Sequence, residues 1–188
     1  MAFTRKALLA SVIILLGACR SEPVRFHTLL PAHSGEFSSN GTEIRIETLS
    51  VPPQVDRQQI VVRQSRSSLA VLESQWWGAS LLDEIRSALA DQLSSDAGRN
   101  LSVRLDVQRF DSVPGQYALI DVKWRLRDLD AADKARITCR STLKTSAGPS
   151  VDDVVVAHQN NLRQLAADIS RAADKDSWHC PSRSPDGL

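Results

Sequence analysis

Three stretches in the second half of the chain alternate apolar and polar residues with a period of two. Leu101, Val103, Leu105 and Val107 form the first; Ala118, Ile120, Val122, Trp124 and Leu126 form the second, after Pro114-Gly115. Ile137, Cys139, Ser141 and Leu143 form the third. Strict alternation fits strands with one buried and one wet face, so these segments predict an antiparallel meander whose apolar side must be covered. The cover is supplied by two stretches of helical period. Within Gln75–Leu93, residues Leu82, Ile85, Leu89 and Leu93 fall on one face; Val154, His158, Leu162, Leu165 and Ile169 do the same in the last long segment. Ser80 with Asp83 and Ser150 with Asp153 have capping-box spacing, and Gly98 marks a stop region. Upstream, Val24–Leu29, Glu43–Leu49, Gln59–Arg63 and Ser68–Leu72 read as shorter strands, with Val51-Pro52-Pro53 ending the second. The fold class expected is α+β: a largely antiparallel or mixed sheet with two main helices packed on one face.

The first nineteen residues belong to a different kind of segment. Arg5 and Lys6 precede an apolar run of ten residues, Ala7–Leu16, interrupted only by Ser11, and Gly17-Ala18 then lead to Cys19. This is a secretory signal peptide, too short to remain as a spanning helix. The small residues before the cysteine resemble the bacterial lipobox, in which the thiol receives diacylglycerol and cleavage leaves an acylated N-terminus. An ordinary signal peptide, or a buried apolar segment, is the alternative. On the lipoprotein reading, residues 1–18 are the signal, 19–23 the lipidated tether, 24–176 the domain and 177–188 a C-terminal tail. Several acyl chains of the palmitate type would hold the protein almost irreversibly, where one would not. Arg20, rather than an aspartate, follows the cysteine; this favours the outer membrane, periplasmic side, over the inner membrane. About five extended residues of tether keep the domain within roughly 15–20 Å of the lipid.

Charge narrows the partners. The chain has 23 basic and 22 acidic residues, and removing residues 1–18 takes away two basic residues, leaving side chains that sum to −1. Signs are interspersed along the sequence, which argues against nucleic acid and against a polybasic membrane segment. Apart from Cys19 the only cysteines are Cys139 and Cys180. In an oxidising compartment this even pair reads as a disulfide that pins the tail to a strand; Cys139 as a small buried hydrophobe is the alternative.

Catalytic chemistry finds no constellation. His27, His33, His158 and His179 are scattered without metal-ligand spacing, and no phosphate loop or nucleophile elbow occurs. His158 on an apolar stripe reads as a core histidine, Asp152-Asp153 as dipole-compensating residues at a helix start, and Asp128, Asp130 and Asp133 as an acidic turn rather than a cation site. No catalytic residue, cofactor or metal is expected, and the protein is read as not an enzyme.

One arrangement is more specific. Ile44-Arg-Ile-Glu-Thr-Leu-Ser-Val-Pro52 is followed by Val55-Asp-Arg-Gln-Gln-Ile-Val-Val-Arg63, then Trp76 and a helix with Leu81-Leu82 and Leu89. Phe26-His-Thr-Leu-Leu30 opens the domain, and Ser150-x-x-Asp153-Val-Val-x-Ala157 with Leu162-x-x-Leu165-Ala166 closes it. In order and spacing this resembles the PqiC-like family of ABC-type transport auxiliary lipoproteins across the whole mature domain. It departs where Gln58 replaces a frequent proline and Val55 a frequent leucine, and the cysteine pair is not a family feature. The resemblance implies a non-catalytic lipoprotein of an MCE-type lipid transport system. Its partners would be an MCE-domain protein with its ABC permease and ATPase, whose transport tube it would dock at the outer membrane in support of envelope integrity. It also allows a ring-like homo-oligomer. A stand-alone envelope-assembly lipoprotein and a small-hydrophobic-ligand binder are the competing readings. Trp76 and Trp77 are the interface candidates: read at the start of the helix about 100° apart, one belongs in the core and the other at the domain edge or in an oligomer contact.

Overall fold

The computed structural model describes residues 22–32, 42–95, 98, 100–131, 136–174 and 178–181. The fold is α+β, and the described residues form ten elements in chain order. They are β1 (Arg25–His27), β2 (Thr42–Ser50), β3 (Gln59–Arg63), β4 (Leu69–Trp77), α1 (Leu81–Ala90), β5 (Ser94–Ser95), β6 (Leu101–Val113), β7 (Tyr117–Asp128), β8 (Arg136–Ser146) and α2 (Val151–Ala173). They make two mixed sheets, ordered β1-β4-β3 and β5-β2-β6-β7-β8. Strands β6, β7 and β8 are the expected antiparallel meander, whereas β2 lies parallel to β6.

The meander forms because its alternation is real in three dimensions. Leu101, Val103, Leu105, Val107, Ile120, Val122, Trp124, Leu126 and Leu143 are all buried, while Arg104, Asp106, Lys123 and Arg125 between them are exposed. Gly115, at φ 75°, makes the β6–β7 turn in a conformation that L side chains rarely adopt. A bulge between Val107 and Arg109 shifts the register, so Phe110 enters the core from the far half of β6.

Both helices pack against the larger sheet, α1 on β2 and α2 chiefly on β7 and β8. α2 begins with a complete capping box: the Ser150 hydroxyl accepts from Asp153 N–H, and Asp153 accepts from Ser150 N–H at 3.1 Å. Buried polar groups fix its register. Asn161 Nδ2 donates to Ala118 O at 3.0 Å and its Oδ1 accepts from Thr145 at 2.7 Å. Two turns beyond, Trp124 Nε1–H donates to Ser141 Oγ, whose hydroxyl donates to Asp168 Oδ2, each at 3.1 Å. Asp168 also accepts from Arg171. Each of these buried donors has a defined acceptor, which specifies one seating of helix on sheet.

The structure corrects the helix start. Residues Gln75–Trp77 are the end of β4, not the first turn of α1, which begins after Ser80. Aromatic side chains favour a pleated surface, and pairing with both β1 and β3 extends this strand through Trp77. The smaller sheet is joined to the larger through Trp77, whose ring meets Phe110 edge-on at 6.3 Å, and through Arg63 of β3, which donates to Asp111 of β6 at 2.8 Å.

Candidate functional site

Cys19, the residue expected to be lipidated, lies outside the described residues, as do His33, Asp133 and residues 1–18; the first described residue, Glu22, is three positions after Cys19. From there the path is fixed. Ser74 Oγ donates to Glu22 at 3.3 Å, then β1 pairs in parallel with β4, with Phe26 beside Trp76 and His27 beside Trp77. His27 points inward: its Nε2–H donates to Gln75 Oε1 at 2.7 Å and its Nδ1 faces Asp152 Oδ1 at 3.1 Å. The next residues are held by both helices. Glu84 of α1, a buried carboxylate, accepts from Thr28 Oγ1 and from Leu29 N–H, each at 2.8 Å. Gln159 of α2 donates to Thr28 O at 3.0 Å. Gly78 fits this junction because a Cβ there would stand 3.1 Å from Glu84 Oε1. The entry segment is therefore clamped to the body of the domain within six residues of its first described position.

The two tryptophans separate as expected, by strand alternation rather than helical rotation. Trp77 is 2% exposed. Trp76 is partly exposed; its Nε1–H donates to Glu73 O at 2.8 Å and its ring meets Phe26 edge-on at 6.3 Å. Phe26 is 67% exposed.

Cys139 and Cys180 are joined, with Cα atoms 5.5 Å apart, and Trp178 packs on the core beside them. The tail from 178 to 181 is thereby held against β8. Asp128 is buried rather than solvated, and accepts from Asp130 N–H and Ala131 N–H to shape the β7–β8 turn. Among the described residues no three His, Cys, Asp or Glu side chains come together as metal ligands. His158 is wholly buried, stacked on Phe110 at 3.8 Å and sharing a 3.0 Å hydrogen bond with Ser112; burial pushes its pKa down to about 3, against a smaller opposing pull from Asp111. It is a neutral core residue, with no access to a substrate.

The wet face of the larger sheet holds what the linear charge pattern conceals. Register places Arg45, Ser102, Arg127 and Arg136 in one row, Thr48, Arg104, Arg125 and Thr138 in the next, and Asp106, Lys123 and Arg140 in a third. Glu47 pairs with Arg104, and Asp121 with Arg140; each guanidinium holds its partner carboxyl below the usual range. Arg45, Lys123, Arg125, Arg127 and Arg136 make no ion pair among the described residues, and Arg127 Nε is enclosed without an acceptor. A groove of about 130 Å³ lies between Glu47 and four arginines (Arg104, Arg125, Arg127 and Arg136), beside a larger one of about 370 Å³ over Trp124 and Leu105. A chain that is nearly neutral in sum is basic on this face, suited to carboxylates or other anions. Alternate positions of β8, with Arg136, Arg140 and Lys144 and no acid, are the part of it visible in the linear sequence.

The basic rows and the entry segment lie at opposite ends of the domain. His27 meets the first turn of α2, which packs by Val154 and Ala157 on Ala118 at the start of β7. Arg127 is nine positions further along that strand, about 30 Å at the usual rise per residue.

No curated protein matches the chain. Among solved structures, one described only as an uncharacterized protein is 16% identical, covering 80% of this chain and 98% of its own, with a TM-score of 0.61. A protein of Xanthomonas campestris from family DUF330 is 15% identical, covering 80% of this chain and 94% of its own, with a TM-score of 0.55. At those identities the likeness concerns the fold. A family model matches residues 27–170, from the inward-facing histidine of β1 almost to the end of α2, and the chain belongs to the family of ABC-type transport auxiliary lipoprotein components.

Proposed function

We propose that the protein is the membrane-tethered, non-catalytic docking subunit of an MCE-type lipid transport system. Acylation at Cys19 anchors it to the outer membrane on the periplasmic side. The observation that carries this reading is the polarity of the domain. The entry segment that follows the anchor is clamped to α1 and α2 at one end, while the unpaired arginines lie at the other. A domain built this way, on a tether of about five residues, presents its basic end to the periplasm. There it can meet acidic groups of a protein that crosses from the opposite membrane. The family supplies the transport association, and the short tether supplies the rigidity that a dock requires. Trp76 with Phe26 remains available as a contact surface, whether to lipid, partner or a second copy.

The test is affinity capture from crosslinked membranes with the wild type, an Arg125→Glu/Arg127→Glu variant and Cys19→Ser. The wild type is expected to recover an MCE-domain protein, and the charge-reversed variant to lose it while remaining folded and acylated. Cys19→Ser is expected to incorporate no acyl label and to accumulate as precursor in the inner membrane. Recovery of no MCE protein by the wild type, or equal recovery by the charge-reversed variant, overturns the docking reading. Acyl label on Cys19→Ser overturns the anchor.

A further inference from the structure

The smaller sheet exposes an apolar strip at the place where the chain enters the domain. Val24 is 44% and Phe26 67% exposed, and the Trp76 ring lies edge-on to Phe26 on the neighbouring strand. Aromatic residues this open are unusual on a strand whose other face is buried, as His27 shows with a side chain only 7% exposed. The strip makes no polar demand of its own, since the indole N–H is already satisfied by Glu73 O. Glu22, just before β1, accepts from Ser74 of β4 and gives the strip a polar margin on that side.

We propose that this strip rests on the bilayer to which the chain is anchored, with Phe26 and the Trp76 ring seated at headgroup depth. The proposal rests on acylation of Cys19 and deepens that reading from a tether to an oriented contact. Chain length is the argument for lipid rather than protein as the occupant. Three virtual bonds separate Cys19 from Glu22, at most about 10 Å, and five separate it from Val24, at most about 18 Å. From Glu22 onward the chain is fastened along β4, so it cannot swing the strip away from the anchor. A surface held that close to lipid meets the interface at high effective concentration. Aromatic rings are the side chains best suited to that boundary. The consequence is orientation: lipid fixes the position of the domain, and the strip fixes its angle, so that the arginine end stands away from the membrane.

The experiment uses the acylated mature protein in vesicles of phosphatidylethanolamine and phosphatidylglycerol, some carrying bromine near the headgroup end of the acyl chains. Tryptophan emission is compared among wild type, Trp76→Phe and Phe26→Asp, at protein dilutions where copies do not meet. Mass spectrometry and vesicle flotation report the anchor separately. The expected result is bromine quenching in the wild type, loss of most of that quenching in Trp76→Phe, and a severalfold reduction in Phe26→Asp, with all three floating equally. Phe26→Asp is expected to stay folded, because most of the ring is already in water. Quenching absent from a floating wild type, or unchanged in Trp76→Phe, overturns the contact while leaving the anchor intact. Quenching that appears only when copies are crowded assigns the strip to self-association and likewise overturns it. Absence of the acyl group from the native protein overturns the anchor itself.

Discussion

His158 should make the protein acid-sensitive well above the range where its carboxylates titrate. In the folded state the ring is enclosed by Phe110 and Ser112, and its pKa is lowered from 6.5 to about 3 by burial. In the unfolded chain it titrates normally. Below the unfolded value the unfolded state binds a proton that the folded state refuses, so stability falls with falling pH. The contribution is complete above about pH 7, declines through the interval between the two pKa values, and is lost as pH drops through the lower one. At roughly 1.4 kcal/mol per pH unit, going from pH 7 to pH 5 costs about 2 kcal/mol, a substantial part of a typical domain's stability. Asp121 does not confuse this window: with its pKa lowered by the Arg140 hydrogen bond from 3.8, its own loss begins only at lower pH. The assay is urea unfolding by tryptophan fluorescence at both pH values, for the wild type and His158→Gln, whose amide can still reach Ser112. The variant should start lower at pH 7 and lose about 2 kcal/mol less on acidification. Parallel pH profiles for the two proteins would refute the claim that a buried neutral histidine sets the acid limit.

Trp77→Ala should cost about 3–5 kcal/mol, since it empties a core position and removes the edge-on contact to Phe110, whereas Trp76→Ala should cost under about 1 kcal/mol; thermal melts separate them. Reduction of the bond between Cys139 and Cys180, which are 41 positions apart, should lower stability by about 3–4 kcal/mol, and the denatured, unreduced protein should show neither thiol to a thiol reagent. Glu84→Ala removes the acceptor of two hydrogen bonds from the entry segment and should cost about 2–4 kcal/mol. Hydrogen exchange should show the loosening confined first to residues 28–30.

The meander and its cover were legible in the sequence because their signals are local. Alternation at 101–107, 118–126 and 137–143 needs only the pleat, and the Ser150–Asp153 box needs only the first turn of a helix. What could not be read was whatever depends on distant pairing. The parallel alignment of β2 with β6 joins residues 56 or 57 positions apart, and the division into two sheets follows from it. The boundary at Trp77 was misplaced because helical spacing from Leu82 onward can be continued backward through Gln75, and only the pairing with β1 and β3 tips those residues into a strand. The arginine rows were hidden for the same reason. β2, β6 and β7 each carry mixed signs and β8 only basic ones, and register across the four strands brings the like charges together. Cys139 stood on the right face, but the return of residue 180 to its side is a tertiary fact.

The parallel pairing of β2 with β6 also governs when the chain can fold. A polypeptide that emerges N-terminus first can pair β1 and β3 with β4 early, but β2 waits for β6, α1 for its contact with α2, and Trp77 for Phe110. The C-terminal half, by contrast, consists of near neighbours, hairpin after hairpin closed by a helix. Such high sequence separation in one half delays closure until most of the molecule is available. On the proposed reading of the protein as an exported lipoprotein, that delay is an advantage. The leading half stays open enough to be threaded, and the fold locks only when the last helix has crossed.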